Sequence, residues 1–325
     1  MENWFVPHQE SILPHARRVL VFAPHPDDEV FGCAGAIVKY VRRNATIGIV
    51  VFTTGCAYLD GHEKEAMKAT RQQESMLAAQ ILGCPSPEFL DFEDRQLNQV
   101  PHLKELIQAK IDTFQPDLIF VPSLWEIHPD HRALCISTLS CAMDAFEASK
   151  AQFHVMQYEV SAPLNPNFIL DISECHHLKD SAVQSFGSQL LSKPYDVCIK
   201  GLNQYRTLTL NSGTTQAEAY VLLGSKDIRS WVKDAFQMSS PSLKFTHDHA
   251  LVNAYQDREQ LKIEFDKVRS DLEQLTSQFD LLNVQLEATQ KDLHRDKMIL
   301  AATQASWSWR LTKPLRALGA MLRDL

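Results

Sequence analysis

The chain has 325 residues and a formal net charge of −8, with 45% hydrophobic and 22% charged residues. That length accommodates one large α/β domain with an appendage and leaves room for a deep cleft. The acidic balance excludes the basic footprint of a nucleic-acid-binding protein, and no stretch of about 18 apolar residues predicts a membrane span.

The seven cysteines are odd in number, scattered, and form no CxxC pair, which predicts reduced thiols rather than a disulfide framework. The first residues contain neither an apolar run nor a small-residue cleavage site, so they do not resemble a secretory signal. Together these features predict a cytoplasmic protein.

Short β-branched and aromatic runs alternate with longer helical patterns from residue 18 onward, which is typical of βαβ units. The predicted strands are Arg18–Ala23, Thr46–Thr53, Glu88–Phe92, Asp117–Pro122, Phe153–Val160, Asn167–Asp171 and Glu218–Leu223. The predicted helices lie near residues 30–43, 63–82, 101–114, 131–149, 173–191 and 194–206. We therefore predict a Rossmann-like α/β domain over residues 1–240, with a mostly parallel sheet and helices on both faces.

The remaining residues have a different composition. A Ser- and Pro-rich segment that begins at Met238 predicts a linker over residues 241–257. From Leu261 to Leu293, apolar residues recur at alternating spacings of four and three, which predicts a coiled coil over residues 258–303. Such a coiled coil predicts a homo-oligomer, and a single helix packed back on the domain is the alternative.

The last segment, residues 304–325, continues the apolar stripe, while basic residues fall away from it on a helical wheel. These basic residues are Arg310, Lys313, Arg316 and Arg323. A basic amphipathic tail is typical of a helix that lies on an anionic membrane surface, here its inner face, or docks on a protein partner. The sequence leaves both alternatives open.

Two polar clusters follow predicted strands. The first runs Pro24-His-Pro-Asp-Asp-Glu29 after the first strand, and the second runs Glu126-Ile-His-Pro-Asp-His131 after the fourth. The carboxyl ends of parallel strands lie at one edge of a sheet, where open α/β folds place their ligands. Three contiguous carboxylates repel one another and need a cation or a shifted proton to offset that repulsion.

These residue types predict a metal site in which His25, Asp28 and His131 are the ligands. Nitrogen and oxygen ligands without cysteine suit zinc or another divalent metal, one per chain. A catalytic site needs three protein ligands and one open position for water. Asp130 is predicted to orient a histidine ring from behind the ligands.

Two further groups then have natural roles. Asp27 is placed to take a proton from water, and His128 is placed to stabilise or protonate a tetrahedral intermediate. At this point the paired motifs resemble those of the LmbE/PIG-L family of zinc-dependent N-acetylglucosamine deacetylases. The resemblance implies the same three metal ligands, the first Asp as general base and the first His of the second motif as electrophile or acid.

The resemblance extends over roughly residues 18 to 225. Arg71 and Glu74 stand where the family has an Arg-x-x-Glu pair, and Asp94 follows the third strand as the family's Asp does. The resemblance implies that Arg71 and Asp94 bind the sugar. From the residues alone, Arg71 and Glu74 equally suit a surface ion pair, and Asp94 equally suits a turn.

The resemblance implies a metal-dependent hydrolase that removes an acetyl group from an N-acetylglucosamine-type glycoconjugate. The tail resembles the ends of some bacterial polysaccharide-building glycosyltransferases, which implies a place in surface-glycan biosynthesis. Two alternatives stay open. One is a metal phosphoesterase, since His and Asp clusters also build two-metal sites, and the other is a non-catalytic, glycan-binding coiled-coil scaffold.

Overall fold

The computed structural model describes residues 6–57, 59–148, 153–224, 227–228, 231, 249–306 and 310–321, with the backbone alone at 249–266 and 318–321. The chain divides into two compact units, Met1–Gln237 and Met238–Leu325.

Seven strands form the sheet of the first unit. They are β1 (Arg18–Ala23), β2 (Thr46–Thr53), β3 (Glu88–Phe92), β4 (Leu118–Pro122), β5 (His154–Tyr158), β6 (Phe168–Asp171) and β7 (Ala217–Leu223). Their order in the sheet is β3-β2-β1-β4-β5-β7-β6. The strands β1 to β5 pair in parallel, and β7 pairs antiparallel with β5 and β6. The predicted mostly parallel α/β sheet is confirmed.

Helices connect and flank these strands. They are α1 (Asp28–Arg42), α2 (Gly61–Leu82), α3 (Leu103–Phe114), α4 (Pro129–Glu147), α5 (His176–Val183), α6 (Gly187–Leu190) and α7 (Tyr195–Tyr205), with a 3₁₀ turn at Leu97–Gln99. The helix predicted near 173–191 is divided into α5 and α6. The division places Phe186 fully inside the core, where its ring lies 5.6 Å from that of Phe31.

The strand order places the ends of β1 and β4 side by side. Val19 pairs with Leu118 and Val21 with Phe120, so both strands run in the same direction at the centre of the sheet. From this pair, β2 and β3 extend to one side and β5 extends to the other. Ligands of open α/β sheets bind at such a reversal of strand order, beyond the carboxyl ends of the strands.

The second unit contains α8 (His249–Ala305) and α9 (Lys313–Met321). α8 begins inside the predicted linker, where residues 249–257 contain no Gly or Pro that would interrupt a helix. Residues 241–248 of that linker, and residues 307–309 and 322–325 of the tail, which include Arg323, lie outside the described residues.

The apolar seam of α8 is exposed wherever its side chains are described. Val268, Leu272, Leu275, Phe279, Leu282, Leu286 and Leu293 are each between 55% and 64% exposed. The coiled coil therefore stays a prediction, because no second helix covers the seam among the described residues. No described helix has both the length and the apolarity required to cross a membrane.

Candidate active site

A cavity of about 200 Å³ opens at the carboxyl ends of β1 and β4. It is lined by the five residues predicted as ligands and catalytic groups, His25, Asp27, Asp28, His128 and His131, and also by Arg71 and Asp94. Asp130 is fully buried behind this lining. The structure thus brings all eight predicted site residues to one edge of the sheet.

Three side-chain atoms converge at the base of the cavity. Asp28 Oδ2 lies 2.9 Å from His25 Nδ1 and 3.1 Å from His131 Nε2, and these two nitrogens lie 3.2 Å apart. Ligands placed about 2.0–2.1 Å from a tetrahedral zinc ion lie roughly 3.3 Å from one another. The three atoms therefore fit a divalent cation. A nitrogen of His128 also lies within 4.8 Å of nitrogens of His25 and His131.

When no cation is bound, the rings of His25 and His131 hold protons at the nitrogens that face Asp28. Burial lowers the pKa of His25 and His131, but the carboxylates around them outweigh burial, so the pKa of His25 is raised and that of His131 reaches about 9. Burial raises the pKa of Asp28, but His131 and His25 outweigh it and hold that pKa well below its usual range. A metal must displace these protons, so we expect its affinity to fall as pH falls.

Both candidate ligand rings direct their second nitrogen toward a buried carboxylate. His25 Nε2 lies 3.3 Å from Asp94 Oδ1 and 3.5 Å from Asp130 Oδ2. His131 Nδ1 lies 3.6 Å from Glu126 Oε2. Metal-binding histidines commonly have such partners, which fix the ring orientation. Glu126 had no predicted role, and the structure places it behind His131.

Asp130 joins the second turn to the segment after β3. Its carboxylate accepts hydrogen bonds from the amides of Arg95 at 2.6 Å and Leu97 at 2.9 Å. That segment also contains Asp94, whose Oδ1 lies 3.4 Å from His128 Nε2. Asp94 therefore lies between two histidines at the wall of the cavity, where the predicted sugar-binding residue is expected.

Asp27 has an unusual backbone conformation. Its φ of 150° and ψ of −31° lie in a region that residues other than Gly rarely adopt, and such strain concentrates at functional sites. The conformation is held by its own amide, which donates to Glu29 Oε2 at 3.1 Å, and by its carbonyl, which accepts from Val30 and Phe31. Burial raises the pKa of Asp27 to about 7, and the positive charge of Arg71 opposes that shift.

Arg71 is 4% exposed and is bound mainly to the protein itself. Its Nη2 donates to Asp27 Oδ2 at 2.8 Å and to the carbonyl of Pro26 at 3.0 Å, and its Nη1 donates to the carbonyl of Gly55. Glu74, the other member of the predicted pair, accepts hydrogen bonds from the amide and hydroxyl of Ser188. Arg71 and Glu74 thus have separate partners.

His128 lies at the N-terminus of α4 with its ring over the cavity. Its Nδ1 accepts a hydrogen bond from the Asp130 amide at 3.3 Å. An accepting Nδ1 places the proton of a neutral ring on Nε2, because one nitrogen accepts while the other donates. Nε2 is therefore a donor, and it lies 3.4 Å from Oδ1 of Asp94, which lines the cavity.

Comparison with known proteins matches this region to a family model. Residues 20–142, which include both turns, match the PIG-L model, described as GlcNAc-PI de-N-acetylase. A diacetylchitobiose deacetylase of Thermococcus kodakarensis is 28% identical over 221 residues, which are 63% of this chain and 80% of the relative. A probable N-acetyl-alpha-D-glucosaminyl L-malate deacetylase 2 of Bacillus anthracis is 28% identical over 196 residues, 56% of this chain and 85% of the relative.

Among solved structures, the N,N'-diacetylchitobiose deacetylase of Pyrococcus horikoshii, complexed with its inhibitor MPG, is similar to this chain. The two have a TM-score of 0.56 and 23% sequence identity, over 65% of this chain and 85% of that one. At this identity the likeness shows the fold alone. The family model and the two sequence relatives are each described as de-N-acetylases or deacetylases.

Proposed function

We propose that the chain, whose residues 20–142 match the PIG-L family model, is a metal-dependent deacetylase of an N-acetylated amino sugar of the N-acetylglucosamine type. The reaction hydrolyses the acetamide to acetate and a free amine. One observation carries the proposal: three ligand atoms within 3.2 Å of one another share a cavity with Asp27 and His128.

We propose zinc as the metal, held by His25 Nδ1, Asp28 Oδ2 and His131 Nε2. Their spacing supports three bonds to one ion, and their chemistry, two imidazoles and one carboxylate without a thiolate, suits zinc. When bound, a divalent cation supplies a Lewis acid that polarises the amide carbonyl and lowers the pKa of water.

The protein's own groups then handle the protons. Asp27, at the cavity wall, accepts the proton that the attacking water releases, and Arg71 holds the Asp27 carboxylate in place through the 2.8 Å contact to Oδ2. His128 Nε2–H donates a hydrogen bond to the oxygen that becomes negative as the carbonyl turns tetrahedral, and Asp27 passes the proton that it took from water to the leaving nitrogen.

The substrate class comes from the relatives, which are named as deacetylases of diacetylchitobiose and, as probable, of N-acetyl-alpha-D-glucosaminyl L-malate. In this chain Asp94 is the better placed of the two predicted sugar contacts, because it lies at the cavity wall next to His25 and His128. Arg71 already binds Asp27 and two backbone carbonyls, so we propose that it supports the base rather than the sugar.

The test combines metal content with turnover. Zinc per chain is measured by mass spectrometry, and amine release is measured with diacetylchitobiose and N-acetyl-α-D-glucosaminyl L-malate, for the native chain and His131→Ala. We expect one zinc per chain and amine release in the native protein, and the loss of both in the variant. Two metals per chain with hydrolysis of a phosphate ester would favour the phosphoesterase, and a native protein without metal or turnover would favour the scaffold.

We also propose that α8 forms a homo-oligomer through its apolar seam, because exposed apolar stripes of this spacing are stable in water only when they are covered. Light scattering of the full chain is compared with a Leu275→Lys, Leu282→Lys variant. Leu281→Lys, at an equally exposed position outside the seam, is the control. A monomeric native chain at micromolar concentration would contradict the proposal.

We further propose that the tail contacts a membrane and that the chain takes part in surface-glycan assembly. Flotation with anionic vesicles tests the first. The comparison is between the native chain and a variant with Glu at Arg310, Lys313 and Arg316, and equal flotation of the two would contradict it.

A further inference from the structure

Glu126 is a buried carboxylate that binds the backbone of a distant segment. It lies two residues before His128 and is 1% exposed. Its Oε1 accepts from the amide of Val160 at 2.6 Å, and its two oxygens lie 3.1 and 3.0 Å from the amide of Ser161. Since Val160 and Ser161 line the cavity, Glu126 fixes part of its rim.

The same carboxylate faces a proposed metal ligand. Glu126 Oε2 lies 3.6 Å from His131 Nδ1, a buried nitrogen without a hydrogen-bond partner among the described residues. The other nitrogen of that ring, Nε2, points to Asp28 Oδ2 at 3.1 Å. If Nε2 offers its lone pair to a metal, Nδ1 carries the proton, and Glu126 is the acceptor placed to receive it.

We infer that Glu126 is a positioning residue that couples the orientation of His131 to the rim formed by residues 160–162. The inference rests on the proposed function, because it takes His131 as a metal ligand. One carboxylate contacts both the ligand ring and the rim. A change at Glu126 therefore alters the metal affinity and the position of the rim together.

A carboxylate is required for this arrangement because every group around it is a donor. The amides of Val160, Ser161 and Ala162 and the ring N–H of His131 all point toward the two oxygens. An ionised carboxylate accepts at both oxygens, whereas the amide of Gln accepts at one and donates at the other. Glu126→Gln therefore directs an N–H group against either the rim amides or the His131 ring.

Glu159 provides a matched control on the same segment. It is 4% exposed, and it accepts hydrogen bonds from the amide of Leu164 at 2.8 Å and from Arg206 Nε at 2.9 Å. None of the contacts that the described residues make with its carboxylate involves a proposed metal ligand. Glu159→Gln thus disturbs a buried carboxylate directly before the rim residues without touching His131.

The experiment measures three quantities for the native chain, Glu126→Gln and Glu159→Gln. They are the zinc Kd by chelator competition, the hydrogen exchange of the Val160 and Ser161 amides in the zinc-free protein, and the separate values of kcat and KM. For Glu126→Gln we expect a zinc Kd raised by about 10- to 100-fold, faster exchange of both amides, and changes in both kcat and KM. For Glu159→Gln we expect a zinc Kd within about twofold of the native value, since a residue behind the site changes metal affinity through its contact with a ligand, and Glu159 contacts none of the proposed ligands.

A zinc Kd of Glu126→Gln equal to that of Glu159→Gln would overturn the inference. If Glu126→Gln does not fold, Glu126→Asp replaces it, because Asp keeps the charge but loses reach. For Glu126→Asp we expect a zinc Kd above the native value together with faster exchange of the rim amides. Faster exchange of those amides at an unchanged zinc Kd would overturn the coupling. Failure of the proposed function is distinguishable, because there the native chain itself binds no zinc and releases no amine.

Discussion

The two turns of the candidate site share the pattern His-Pro-Asp, yet equivalent residues have opposite surroundings. In the first turn His25 points into the ligand cluster, whereas in the second turn His128 lies over the cavity. Asp27 lines the cavity in a strained conformation, whereas Asp130 is fully buried and accepts from two backbone amides.

The position of each turn relative to its helix explains this reversal. Asp27 is the residue before the first residue of α1, and His128 is the residue before the first residue of α4. The shared pattern is therefore shifted by two positions between the two helices. In both turns the residue at the helix N-cap faces the cavity, so the role of each residue follows its distance from the helix start rather than its place in the motif.

Replacement of Asp27 by Asn gives the largest expected effect within this comparison. If the N-cap residue of α1 is the general base, Asp27→Asn lowers kcat by about 10³-fold, within the range for loss of acid–base catalysis. Zinc content stays at the native value, because Asp27 does not belong to the three-atom ligand cluster. Single-turnover kinetics and metal analysis check both points, and loss of zinc together with turnover would make Asp27 a ligand instead.

Replacement of His128 by Gln comes next. We expect kcat to fall by about 10²-fold with little change in KM, because the donor acts on charge that develops only in the transition state. The exposed His62, changed to Gln, is the control for the substitution itself. If His128→Gln loses zinc, His128 is a ligand. The first histidine of each turn would then bind the metal, and the contrast between the two turns would not hold.

The sequence predicted the strands, the two turns and the residues that gather at them, because buried strands read as apolar runs and turns carry His, Pro and Asp. It did not predict contacts that depend on packing. The spacing of Arg71 and Glu74 suited an i,i+3 ion pair. In the folded chain Arg71 donates to Asp27 instead, and Glu74 accepts from Ser188. Glu126 went without a role because its partners, residues 160–162, approach only when β4 pairs with β5.

Replacement of Asp130 by Asn has a smaller expected effect on turnover than either N-cap change. The Asn side chain has one accepting oxygen, so one of the amides of Arg95 and Leu97 loses its partner, at a cost of about 1–3 kcal/mol to the free energy of unfolding. The zinc Kd rises by about tenfold, because the contact to His25 weakens. Thermal denaturation of the zinc-free protein and chelator competition measure the two effects, and an Asp130→Asn protein with native stability would contradict the structural role.

The smallest effect concerns how the stability of the zinc-free protein depends on pH. Burial raises the pKa of Asp27 to about 7, against the opposing charge of Arg71, while the same carboxyl in the unfolded chain titrates near pH 4. Between these two values the folded state holds a proton that the unfolded state has released, so this group makes the free energy of unfolding fall as pH rises. Asp27→Asn removes this contribution. We therefore expect the free energy of unfolding of the variant, relative to that of the native chain, to rise from pH 4 to pH 7. Urea unfolding of both zinc-free proteins across this range measures the difference, and a constant difference would place the pKa of Asp27 near its ordinary value, as expected if Arg71 outweighs burial.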